Sequence, residues 1–86
     1  MTESELQILG FNQKVEKDPN WGTYFYYTYR ISEGLEFISN ASDAIKEGEE
    51  WYVEFLYFNP TIRFQKFEEV QSLINLLERN KIKENN

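Results

Sequence analysis

The period of the apolar residues changes at about Lys66, and that change fixes the fold class. From Phe67 onward, Phe67, Val70, Ile74 and Leu77 recur at steps of three and four, with Leu73 and Leu76 widening the stripe. Such spacing keeps side chains on one side of an α-helix, which is predicted to run to about Asn80. Before Lys66 the apolar runs are shorter, β-branched or aromatic, and cut by turn residues. Thr23 to Ile31 is a strand by this criterion, as are Leu35 to Ser39 and Trp51 to Phe58, and Ile62 to Phe64 begins another. Phe11 to Lys17 alternates less cleanly, with Phe11, Gln13 and Val15 on one side. Asp18-Pro19-Asn20-Trp21-Gly22, Ser32-Glu33-Gly34 and Asn59-Pro60 separate the runs, because proline presets φ and glycine accepts positive φ. Trp21 is expected to close the first of these turns.

Consecutive strands joined by short loops pair with their neighbours, and an amphipathic helix must bury its stripe on the only apolar surface present. The expected architecture is α+β: an antiparallel meander of about five strands, with the C-terminal helix packed on one face. Thr2-x-x-Glu5 has capping-box spacing and Gly10 suits a helix C-cap, so a short N-terminal helix is expected over about residues 3–9. Asn40 to Glu50 is polar and acidic, with one helical turn over Ser42–Glu47 ended by Gly48. Eighty-six residues enclose one core, so residues 1–80 read as a single domain and 81–86 as a polar, frayed tail.

Alternation sorts the rings. Phe25, Tyr27, Tyr29 and Ile31 fall on one side of the second strand, against Tyr24, Tyr26, Thr28 and Arg30. In the fourth strand Trp51, Val53, Phe55 and Tyr57 oppose Tyr52, Glu54, Leu56 and Phe58, while Leu35 and Phe37 oppose Glu36. The charged members mark the outer sets. One helix covers one face, so Tyr24, Tyr26 and Tyr52 are left on a second face beside Glu36 and Glu54, unless the N-terminal segment folds over it.

The chain has no cysteine and no histidine, which removes thiolate and imidazole metal sites, disulfides and both Ser-His-Asp and Cys-His catalysis. Its glycines are isolated at turns, so no phosphate-cradling loop is present. Asp43, Glu47, Glu49 and Glu50 lack the order of calcium-loop ligands. Glu36 and Glu54 could pair as catalytic carboxylates only within a cleft, which a flat sheet face does not offer. The expectation is a protein without cofactor, metal or enzymatic activity.

Charge is concentrated. Of a net −6, the segment 33–54 carries all the excess: Glu33, Glu36, Asp43, Glu47, Glu49, Glu50 and Glu54 against Lys46. Such a field repels phosphate backbones and attracts basic surfaces, so a basic protein partner is expected rather than nucleic acid. Tyr24, Tyr26 and Tyr52 would anchor it, with Glu36, Glu47, Glu49, Glu50 and Glu54 steering its approach. The alternative is a homodimer through the ring-bearing face or an edge strand. No run approaches a membrane span and Met1 to Glu5 is acidic where a signal peptide is basic, so a cytoplasmic location without membrane contact is expected.

The runs "LEFISNASD…EEWYVEF" and "IRFQKFEEVQSLINLL", within residues 35–78, resemble short uncharacterised proteins of bacterial mobile elements and phages. The resemblance implies a context: small acidic proteins of that origin are often antagonists of host nucleases, including anti-restriction and anti-CRISPR proteins. It carries over no site residue. The present chain differs from the strongest phosphate mimics because its charge is local.

Overall fold

A computed structural model describes residues 1–82. Thr2 opens helix α1 (Glu3–Leu9) with the expected box: its Oγ1 accepts from the Glu5 N–H while Glu5 Oε1 accepts from the Thr2 N–H. Gly10 closes the helix at φ 96°, a left-handed cap that costs glycine least. The chain turns there, so Phe11 enters the core as a linker residue and strand β1 (Asn12–Asp18) starts one residue later than its pattern suggested.

Asp18 Oδ1 accepts from the N–H groups of Asn20 and Trp21, which shapes the turn into β2 (Gly22–Ser32). The Trp21 ring does not close that turn: it is 82% exposed, and its backbone does the work. Strand β3 (Leu35–Ser39) follows a tight turn at Gly34, and α2 (Ser42–Lys46) interrupts the meander. Strands β4 (Val53–Phe55) and β5 (Arg63–Phe64) complete an open antiparallel sheet in the order β1-β2-β3-β4-β5. Helix α3 (Phe67–Asn80) ends the described fold. The α+β architecture is as expected.

Both terminal helices lie on one face. Leu6 of α1 and Val70 and Ile74 of α3 join Phe11, Tyr27, Ile31, Phe37, Trp51 and Val53 in a single buried cluster. Phe25, Tyr29, Leu35, Phe55, Leu73 and Leu77 pack against it half-buried. Fully burying one such side chain contributes about 1.5–3 kcal/mol, so this cluster is the main stabilising element. The Tyr27 hydroxyl ties three elements together. It donates to Glu3 of α1 and accepts from Gln7 of α1 and Gln13 of β1. The N-terminal segment therefore covers the inner face, not the outer one.

The fourth strand is shorter than its sequence pattern predicts. It ends after Phe55 because Tyr57 takes φ 66°, once the Leu56 N–H has made the last in-register bond to the Glu36 carbonyl. A left-handed residue breaks the alternation, so the next two rings exchange sides. Tyr57, expected inside, is 95% exposed, and Phe58, expected outside, stacks on Phe55 at 4.9 Å. Leu76 is also largely exposed, since the α3 stripe is covered only along Val70, Ile74 and their half-buried neighbours. At the start of the expected tail, Lys81 Nζ donates to the Ile31 carbonyl at 2.9 Å and pairs with Glu78 at 3.0 Å. The rest of the predicted tail, residues 83–86, lies outside the described residues.

Candidate protein-docking surface

The register places the outer-face residues in rows. Lys14 pairs with Tyr26 and Glu16 with Tyr24 across β1 and β2, and Arg30 pairs with Glu36 across β2 and β3. Glu54 sits opposite Ile38 on one side and Arg63 on the other. Tyr24 and Tyr26, two residues apart on β2, stack with centroids 6.5 Å apart and planes 30° apart. The Tyr26 hydroxyl donates to Glu16 Oε1 at 3.3 Å. Loss of water around the ring, then the neighbouring Glu16 carboxylate, raise the Tyr26 phenol above the usual tyrosine range. It is a neutral hydrogen-bonding ring at physiological pH.

A second group forms around Tyr52. Arg63 lies over its ring with the guanidinium carbon 3.9 Å from the centroid, and the same guanidinium pairs with Glu54 at 3.2 Å. A cation held over an aromatic face at an exposed site contributes about 0.5–1 kcal/mol. Together with Glu49, Glu50 and Gln65, Tyr52 and Arg63 line a shallow cleft of about 350 Å³.

Asn40 explains why the acidic loop sits there. Buried where β3 ends, it donates from Nδ2 to the Glu50 carbonyl at 2.9 Å and to Glu49 Oε1 at 3.4 Å, and accepts the Tyr52 N–H on Oδ1 at 3.1 Å. One amide thus pins the Tyr52 backbone, the Glu50 backbone and the Glu49 carboxylate. Two serines carry out a similar repair as β3 leaves the sheet. Ser39 Oγ and Ser42 Oγ accept the N–H groups of Tyr27 and Phe25, where strand carbonyls would otherwise stand. Those bonds leave no buried side-chain polar atom unpaired among the described residues.

Of the residues predicted for a docking site, Tyr24, Tyr26, Tyr52, Glu36 and Glu54 share the outer face, and Glu49 and Glu50 border it. Glu47 does not join them. It lies just past α2 beside Trp21, Asp43 and Lys46, because the short helix carries it away from the Tyr52 cleft. Glu36 lines another cleft, of about 240 Å³, with Arg30, Gly34, Leu56 and Tyr57. The Glu54 carboxylate is drawn toward β5 by its pair with Arg63.

Sequence reasoning missed Arg63 and Asn40. Arg63 was legible in principle as the alternate residue opposite Glu54, whereas Asn40 looked like one polar residue among many. Among the described residues no cluster of His, Cys, Asp or Glu is arranged to hold a metal ion, and no helix is long and apolar enough to cross a membrane. No protein family, curated protein or solved structure matches the chain.

Proposed function

We propose that this chain is a non-catalytic protein-binding module that docks its open sheet face on a basic protein surface. The observation that supports this reading is the placement of α1 and α3 on the same side of the sheet, which leaves Tyr24, Tyr26 and Tyr52 uncovered opposite them. Half-buried tyrosines are rigid anchors of low entropic cost, and the carboxylates around them set the sign of the partner. Glu54 is already neutralised by Arg63, so Glu36, Glu49 and Glu50 are the groups that would meet the partner's cations. In the mobile-element context that the sequence resembles, such a partner is a nucleic-acid-binding host protein, and docking inhibits it by occupying its basic surface. The chain itself does not bind nucleic acid, because its field repels phosphate.

Packing of this face on its own copy is the weaker reading. Packing it on a second copy would bring two sets of Glu36, Glu49 and Glu50 into one interface, and like charges facing across an interface cost affinity.

Immobilised protein should capture basic proteins from a host lysate at physiological salt and release them as salt is raised, since exposed charges are screened within about 8 Å there. Glu49→Lys with Glu50→Lys should abolish the capture. Equal recovery by this double variant would rule out electrostatic docking.

A further inference from the structure

The free edge of β1 carries a second surface, independent of the outer face. β1 is the outermost strand, seven residues long, and its register with β2 runs without a bulge from Asn12↔Thr28 to Asp18↔Gly22. Asn12 to Lys17 are all exposed, including Val15 at 56%. No proline interrupts it. By contrast, the opposite edge of the sheet is the two-residue strand β5.

The direction of the unpaired backbone groups follows from the hydrogen bonds of β2. The N–H groups of Phe25 and Tyr27 point toward the β3 side, where Ser42 Oγ and Ser39 Oγ accept them. Successive residues of an antiparallel strand alternate in direction, so Tyr24, Tyr26 and Thr28 bond toward β1. Their partners Glu16, Lys14 and Asn12 bond back to β2. Gln13, Val15 and Lys17 are therefore the residues whose N–H and C=O groups face outward from the sheet.

Only strands that match odd residue to odd residue can satisfy those groups. Among antiparallel pairings of this edge with its own copy, the register centred on Val15 sets Val15 against Val15, Gln13 against Lys17 and Lys14 against Glu16. Asn12 then faces Asp18. Every charged side chain meets an opposite or neutral one. Centring on Lys14 would oppose two lysines, and centring on Glu16 would oppose two glutamates. Both slips place like charges directly across from each other, which destabilises a strand pair.

We infer that β1 pairs antiparallel with the β1 of a second copy in the register centred on Val15, joining two sheets into one continuous sheet. The exposed Val15 pair is buried on the inner side, and Lys14 and Glu16 form reciprocal cross-strand ion pairs beside Tyr26 on the outer side. The outer face stays open, so both copies keep their docking surface.

Sedimentation velocity over micromolar to millimolar protein, with amide exchange read residue by residue, tests this directly. The expected species has twice the 10.4 kDa chain mass. Amides of Gln13, Val15 and Lys17 should slow in exchange as concentration rises, while those of Lys14 and Glu16, bonded within each copy, should not change. Glu16→Lys should weaken association at least about tenfold, and adding Lys14→Glu should restore it. Val15→Pro should give a monomer, and its far-UV circular dichroism reports whether the fold is kept. The charge-swap pair decides the matter if the proline variant unfolds. A wild-type monomer at millimolar concentration overturns the inference. So does failure of the swap to restore association, or a dimer lost on Tyr26→Ala but kept in Val15→Pro. Protection of these amides only on adding a foreign protein would assign the edge to that protein and overturn it equally.

Discussion

Replacing Tyr27 with phenylalanine keeps the ring and removes one hydroxyl, so it isolates what that oxygen holds. The ring is 1% exposed and packs edge-on to Phe25 and Trp51 at 6.1 and 5.7 Å. The hydroxyl donates to the half-buried Glu3 carboxylate and accepts from Gln7 and Gln13 at 3.2 and 3.4 Å. A bond to a charged group contributes about 1.5–3 kcal/mol, and solvent access to Glu3 favours the low end. The two glutamine side chains are exposed and can turn to water, so they add about 0.5 kcal/mol together. The expected loss is about 2 kcal/mol at pH 7, out of a total of about 4–13 kcal/mol for a domain this size.

The same variant has a pH signature. Burial first, then the bond to Glu3, raise the Tyr27 phenol above the ordinary value of 10.0. As pH rises past that value the unfolded chain ionises before the folded one. The contribution of Tyr27 is therefore complete below about pH 10 and is lost as pH climbs through the raised folded value. Tyr26 and Tyr29, also raised, are present in both proteins and cancel in the comparison. Urea denaturation at pH 7 and at about pH 11 should show the gap between wild type and Tyr27→Phe shrinking in alkali. An equal gap at both, or no loss at pH 7, would refute the claim that this hydroxyl fastens α1 and β1 to β2.

Three other substitutions test separate parts of the structure. Gly10→Ala should cost about 1–2 kcal/mol in urea denaturation, because its φ of 96° disfavours a side chain and the new Cβ would sit 3.4 Å from the Tyr29 ring. Phe37→Ala should cost about 3–5 kcal/mol by the same measurement, since the ring is fully buried against Phe11, Phe55 and Phe64. Arg63→Ala should change stability by no more than about 1 kcal/mol, yet release the Tyr52 ring, visible as altered Tyr52 ring resonances in the NMR spectrum.

The sequence was most legible where a local rule acts alone. The capping box at Thr2 and Glu5, the left-handed glycines, the period of α3 and the alternation of β2 all follow from short-range sterics and burial. It was least legible after Phe55. There a non-glycine residue takes positive φ, and alternation cannot anticipate a break that no glycine marks. Tyr57 and Phe58 changed sides for that reason. Trp21 departs from its expected place for another reason: Asp18 already satisfies the turn's backbone, so the turn does not need the ring. The outer-face residues were legible as an alternating set, but not their long-range ties. Asn40 reaches Glu50 and Tyr52 across the start of β4, and Arg63 reaches Tyr52 from β5, contacts that depend on the finished sheet.

The claim that the open sheet face is the docking surface meets its most direct test in NMR. Backbone amide shifts of the labelled protein would be followed as a captured basic partner is added. The account predicts that the largest changes fall at Tyr24, Tyr26, Glu36, Glu49, Glu50, Tyr52 and Arg63, with α1 and α3 undisturbed. Changes centred on α3, or on Tyr57 and Phe58 with the sheet face silent, would contradict it.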